Sequence, residues 1–138
     1  MELDPKRPWA RVFLGLALDQ KGKYQEAIEQ LQEAKLELGL PEFVDLAHVY
    51  AAARRRDEAL AMVRRIELQD LKNNDPSDWC FIAGVYAAMG DKRRAFEYLD
   101  RAYRERDFAL SFLKVDPWMD PLRSDRRFAS MLRRIGLQ

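Results

Sequence analysis

The chain has 138 residues, about half of them apolar and a third charged, a balance that makes it globular and large enough to bury a core within one domain. Its 24 lysines and arginines stand against 23 aspartates and glutamates, and the net charge of +1 excludes the electrostatic footprint of a nucleic-acid or anionic-membrane binder. One cysteine, Cys80, excludes an internal disulfide framework and fits a reducing, cytoplasmic compartment.

The opening MELDP reads as the tail of a second helix from an upstream unit, with Pro5 at the closing position. A helix over Trp9–Gln20 follows. Trp9, Ala10, Val12, Phe13, Leu14, Leu16, Ala17 and Leu18 leave it little polar surface, so more than one neighbour is expected to cover it and the chain reads as part of a longer one. Gly22-Lys23 makes a turn, and Gly39 after Leu38, then Pro41, closes this unit and opens the next. In the second unit Arg56-Asp57 does the work of the turn, with Asp57 the expected N-cap. Asp75-Pro76 starts the third, a capping carboxylate followed by proline at the first helical position. From Trp79 to Met89 nearly every residue is apolar or small, a run too short to cross a bilayer. Gly90-Asp91 interrupts it, and a helix with a charged stripe follows: Asp91, Lys92, Arg93, Arg94, Glu97, Asp100, Arg101 and Arg104. After Arg106 the pattern changes. A short helix over Asp107–Val115, a stop at Asp116-Pro117 and a last helix from about Ser124 are expected, the last with Phe128, Met131, Leu132 and Ile135 on one face.

The units superimpose. Arg11-x2-Leu14-Gly15-x2-Leu18 precedes Ala27-x3-Leu31; Phe43-x2-Leu46-Ala47-x2-Tyr50 precedes Ala59-x3-Val63; Trp79-x2-Ile82-Ala83-x2-Tyr86 precedes Ala95-x3-Leu99. Gly15 to Ala27, Ala47 to Ala59 and Ala83 to Ala95 are each twelve residues, and successive units are offset by 32 and 36. This resembles the tetratricopeptide repeat (TPR), a 34-residue helix–turn–helix unit with the pattern W-x2-L-G-x2-Y…A-x3-F…P. The resemblance covers roughly residues 8–106 and departs from the pattern at Arg11, in place of the large aromatic, and at Ile66, in place of a late small residue. It implies an all-α, right-handed α-solenoid of three helix pairs, with repeats at about 8–39, 40–74 and 75–106, a C-terminal cap at 107–138 and residues 1–7 as the upstream tail. The segment DPWMDPLRSDRRFASMLRRIGL is similar to the closing segment of repeat arrays attached to bacterial signalling proteins, such as winged-helix regulators and serine/threonine kinases.

The residues give no sign of an enzyme. His48 and Cys80 are the only histidine and thiol; they fall in different repeats without the cluster a zinc site needs, and a buried cysteine with a groove-lining histidine is the plainer account than a nucleophilic pair. Gly15, Gly84 and Gly90 read as crossing and turn glycines, not a phosphate loop. No metal or cofactor is expected. The runs Arg54-Arg55-Arg56, Arg93-Arg94, Arg126-Arg127 and Arg133-Arg134 alternate with carboxylates and read as solvated faces. What remains is a surface for a protein or peptide, with no nucleic acid and no membrane. The resemblance places a concave groove along the first helices: Trp9, Val12, Leu16, Asp19 and Gln20; Pro41, Val44, His48, Ala51 and Ala52; Ser77, Cys80, Gly84, Ala87 and Ala88. The carboxylate-clamping subfamily has Lys, Asn and Arg where this chain has Val12, Leu16, Asp45, Ser77 and Phe81, so the groove is expected to be apolar and to take an amphipathic helix or apolar segment, or to be filled by the chain's own C-terminal segment. The alternative is a structural spacer or homodimer that pairs through Trp9, Val12, Phe13 and Leu16.

Overall fold

A computed structural model describes residues 7–40, 43–73 and 78–137. The expectations for MELDP, Pro41, Asp75-Pro76 and Ser77 lie outside the described residues. Among the described residues the chain is all-α, without strands: α1 (Arg7–Gln20), α2 (Tyr24–Leu38), α3 (Val44–Ala52), α4 (Arg56–Asn73), α5 (Trp79–Ala88), α6 (Lys92–Arg104), 3-10 helices at Phe108–Phe112 and Pro117–Leu122, and α7 (Arg126–Arg134). It packs as two compact units, Met1–Ile66 and Glu67–Gln138.

In the first unit α1 and α2 run antiparallel at close range. A Cβ on Gly15 would lie 2.7 Å from Cγ of Leu31, so only glycine lets the helices meet there. Ala27, Leu31, Ala34, Ala47, Ala59 and Ile66 are all buried, as the repeat register requires of the crossing positions. Arg11, which stands where the aromatic was expected, lies along α2 instead. Its guanidinium donates to Gln30 (3.1 Å) and pairs with Glu33 (2.7 Å) and Glu37 (3.1 Å), so charge complementarity replaces aromatic packing. The turns sit near their expected places. Gly22 and Gly39 hold φ of +75° and +60°, and Gly39 and Leu40 return N–H bonds to Leu36 and Lys35, a helix stop that a left-handed residue permits. The α3–α4 turn differs from expectation. Arg54 takes the left-handed position (φ +64°) and α4 already begins at Arg56. Asp57 therefore lies inside the first turn, where its negative charge is stabilised by the positive end of the helix dipole, and is not the N-cap.

In the second unit α5 buries eight of its ten residues, Trp79, Cys80 and Ile82–Ala87, which accounts for its unrelieved apolar sequence: neighbours cover it on several sides. α6 buries only Ala95, Phe96, Leu99 and Ala102 and keeps its charged stripe in solvent. Trp79 stands where Arg11 stands in the first unit. Its indole Nε1 donates to Glu105 (3.0 Å), and the Arg101 guanidinium lies 3.7 Å over its ring. The Tyr86 and Tyr98 rings stack with centroids 5.2 Å apart, and the Tyr98 hydroxyl donates to Glu67.

Beyond α6 the short helix expected over Asp107–Val115 is a 3-10 helix at Phe108–Phe112, a second 3-10 helix follows at Pro117–Leu122, and α7 starts two residues later than expected, capped by Asp125. Arg123 ties the segment together by donating to the backbone carbonyls of Lys114 (2.7 Å) and Asp116 (2.8 Å). α7 lies along α6, with Arg127 4.3 Å over the Phe96 ring and Arg134 3.1 Å from Asp100, while Phe128 and Met131 are buried.

Candidate functional site

The predicted groove residues divide between the two units. In the first, Val12, Asp19, His48 and Ala51 are buried, Leu16, Val44 and Ala52 are half-buried, and Trp9 and Gln20 are exposed. Nδ1 of His48 lies 2.9 Å from Oδ2 of Asp19, so the two polar groups nearest the α1–α3 seam satisfy one another. A buried carboxylate requires such a partner. The surface these residues offer is accordingly apolar, with Leu16, Val44 and Ala52 at the rim and the Asp19–His48 pair in the floor.

In the second unit the same face is occupied. The 3-10 helix Pro117–Leu122 lies on α5, and a Cβ on Gly84 would come within 2.8 Å of the Trp118 ring. Gly84 is therefore a seat for Trp118, which also meets Phe81 edge-on at 6.2 Å; it is not a helix-crossing glycine. Cys80, Gly84 and Ala87 are buried and Ala88 half-buried. Of the C-terminal segment it is the 3-10 helix Pro117–Leu122 that covers α5, while α7 packs on α6. Burial pushes the Cys80 thiol up to about 12, helped by Asp107 and Asp116, the opposite of what an activated nucleophile needs.

The residues that hold this cover went unrecognised in the sequence. Asp107, itself buried, accepts from the N–H of Ala109 (2.9 Å) with one oxygen and from the N–H of Cys80 (3.1 Å) with the other. It thus caps its own 3-10 helix and also the start of α5, whose N-cap Asp78 makes no side-chain cap bond. Asp116 and Asp125 cap the next two helices in the same way, through the N–H groups of Trp118 and Arg127 (2.9 Å each). Asp107, Asp116 and Asp125 are nine residues apart, a signal available in the sequence alone.

Of the proposed self-association residues, Trp9 and Phe13 face solvent while Val12 is buried and Leu16 half-buried. The helical period puts residues 12, 15, 16 and 19 on the inner side, and the outward apolar stripe is Trp9, Ala10, Phe13, Leu14 and Ala17. The arginine runs are largely engaged in short-range pairs: Arg55 with Glu58, Arg93 with Glu97 and Arg127 with Asp125. Among the described residues no group of three or more His, Cys, Asp or Glu side chains could hold a metal ion, and no helix is long and apolar enough to cross a membrane.

Paired helices at fixed register, with small residues at each crossing, define an all-α helical-repeat protein. The family model of the tetratricopeptide repeat matches residues 10–35, the α1–α2 pair in which Gly15, Ala27 and Ala34 make the close contacts, so this helix pair is similar to a tetratricopeptide repeat. Comparison with curated proteins and with solved structures gave no match. Tetratricopeptide repeats are a protein-binding, noncatalytic class.

Proposed function

We propose that this chain is a noncatalytic protein-interaction module that binds an amphipathic helix or apolar peptide segment on the α1–α3 face of its first unit. The observation that carries this reading is the contrast between the two units. On α5 the first-helix face is covered by the 3-10 helix that seats Trp118 against Gly84, whereas Leu16, Gln20, Val44 and Ala52 keep accessible surface along α1 and α3. Such a surface suits a helix whose apolar residues recur every three or four positions. With the Asp19–His48 pair satisfied internally, binding is by shape and apolar burial, with little salt dependence. The repeats at 8–39, 40–74 and 75–106 belong to this reading as units of the scaffold, and residues 107–138 as its cap. The single buried Cys80 fits a reducing, cytoplasmic setting.

Selection from a displayed library of helical peptides tests it. The expected result is a set of peptides with apolar anchors at helical spacing, bound by the parent protein and lost in the Leu16→Glu/Val44→Glu variant, with NMR shift changes centred on α1 and α3. Peptides that bind parent and variant equally, or a selection that enriches none, would refute the reading.

A further inference from the structure

The outward side of α1 carries a second feature, separate from the groove. Trp9 is 51% exposed, Phe13 68% and Leu14 47%, with Ala10 and Ala17 exposed beside them. These five residues recur at three- and four-residue intervals and form one stripe without an ionised side chain. We propose that a second copy of this chain covers the stripe, α1 packing antiparallel on α1 about a two-fold axis.

Two observations point to a helix as the cover. The repeat offset of 32 carries Leu14 onto Leu46 and Ala17 onto Val49, and both α3 residues are buried, at 3% and 0% exposure. There α2 lies beside α3, with Gln32 donating to the Tyr50 hydroxyl at 2.7 Å. The repeat therefore buries these two positions of the register beside a neighbouring helix, while Phe13 maps onto the half-buried Asp45.

A third observation selects the second copy. Ala10 and Ala17 are seven residues apart, two helical turns, with Phe13 and Leu14 midway between them. Reversing the helix about the midpoint of Phe13 and Leu14 brings Ala10 onto Ala17 of the partner and Phe13 onto Leu14 of the partner. Small residues then meet at both ends, allowing close approach, and large ones meet in the middle. A two-fold contact needs such a self-complementary patch. The exposed parts of Trp9, Phe13 and Leu14 amount to roughly 350 Å² per copy, judged from the size of such side chains. Two copies would bury about 700 Å², short of the ~1,200 Å² of a stable interface, so the dimer is weak and reversible.

This inference does not rest on the groove reading, because Leu16 and Val44 lie outside the stripe. Sedimentation of the whole chain from about 10 µM to about 1 mM, a span that brackets weak association, is expected to show monomer at the low end and a rising share of dimer at the high end. Phe13→Glu should abolish the dimer with unchanged helicity and melting, since the side chain is exposed. Ala17→Leu separates the seam from general stickiness: it adds apolar surface yet blocks close approach, so dimerisation should fall at least tenfold. A parent chain that stays monomeric throughout, a dimer that survives Phe13→Glu, or tighter association in Ala17→Leu would each overturn the proposal. A monomer that still binds library peptides through Leu16 and Val44 would overturn it alone and leave the groove reading standing.

Discussion

Gly84→Ala is a sensitive probe of the second unit, because two effects of opposite sign meet at one atom. Inside a helix alanine is favoured over glycine by about 1 kcal/mol, so an unobstructed site would gain stability. Here the new Cβ would lie 2.8 Å from Cε3 and 3.2 Å from Cβ of Trp118. The indole also meets Phe81 edge-on, and its neighbours Met119 and Leu122 are fully buried, so it cannot retreat cheaply. Overpacking of this kind costs about 1–3 kcal/mol. The expected balance is a loss of about 1 kcal/mol, or a few degrees in Tm for a chain of this length. Trp118→Ala removes the obstruction, and in that background Gly84→Ala should raise stability by about 1 kcal/mol. The coupling between the two sites is then about 2 kcal/mol, well outside the ~0.5 kcal/mol within which independent sites add. Urea unfolding of the parent, both single variants and the double variant measures it. If Gly84→Ala stabilises both backgrounds equally, Trp118 does not sit on α5 and the account of the covered face is wrong.

Three further expectations follow from single residues. His48→Ala leaves the buried Asp19 carboxylate without its partner and should lower stability by about 1–3 kcal/mol, whereas Asp19→Ala/His48→Ala should be milder than His48→Ala alone; urea midpoints decide, and a double variant as unstable as the sum of the singles would contradict the pairing. Arg54→Gly relieves a left-handed conformation that costs a side chain about 1–2 kcal/mol, partly offset by the freer unfolded chain, so a net gain of about 0.5–1 kcal/mol should appear as a higher melting temperature; an unchanged or lower one would refute it. Because burial raises the Cys80 pKa to about 12, the unfolded thiol ionises first on the alkaline side, so its contribution is complete below pH ~9 and is lost as pH rises towards 12; stability against pH should decline less steeply over that window in Cys80→Ser, and parallel profiles would show that the thiol is not shielded.

The repeats were legible because each crossing position admits only a small residue. Gly15, Ala47 and Ala83 are spaced identically from Ala27, Ala59 and Ala95, and that spacing fixes register without any knowledge of the partner helix. The all-round apolarity of Trp79–Met89 likewise told that α5 would be covered on several sides. It could not tell by what, since a second helix, a partner peptide and a 3-10 segment all require the same apolar surface. The α3–α4 turn was misread because the sequence marks left-handed positions by glycine, and Arg54 adopts one without it. The two 3-10 helices have a period of three rather than 3.6. Leu110 and Leu113, and Met119 and Leu122, follow Asp107 and Asp116 by three and six residues, and all four are buried. Side chains three apart eclipse one another on a 3-10 helix, so a cap followed by two apolar residues at that interval encodes one short turn with a single buried edge.

The three caps are alike in sequence but not in what they hold, and that difference gives the last prediction. Asp116 and Asp125 each accept from an N–H two residues ahead in their own helix. Asp107 does the same for Ala109 and in addition receives the N–H of Cys80 at the start of α5, where the N-cap Asp78 makes no side-chain cap bond. Both donors are on residues buried with it. Replacing an ordinary cap by alanine costs about 0.5–2 kcal/mol, since water can take over the exposed donor. Replacing Asp107 strands two donors that water reaches poorly, at about 1–3 kcal/mol each, so Asp107→Ala should lose about 2–4 kcal/mol against about 1 kcal/mol for Asp116→Ala. Asp107→Asn keeps one acceptor oxygen and should fall between them. Hydrogen exchange gives the local signature: the amides of Cys80 and Ala109 should lose protection together in Asp107→Ala and stay protected in Asp116→Ala. Equal destabilisation by the two alanine variants, with the Cys80 amide still protected, would mean that the C-terminal segment lies against α5 without fastening it.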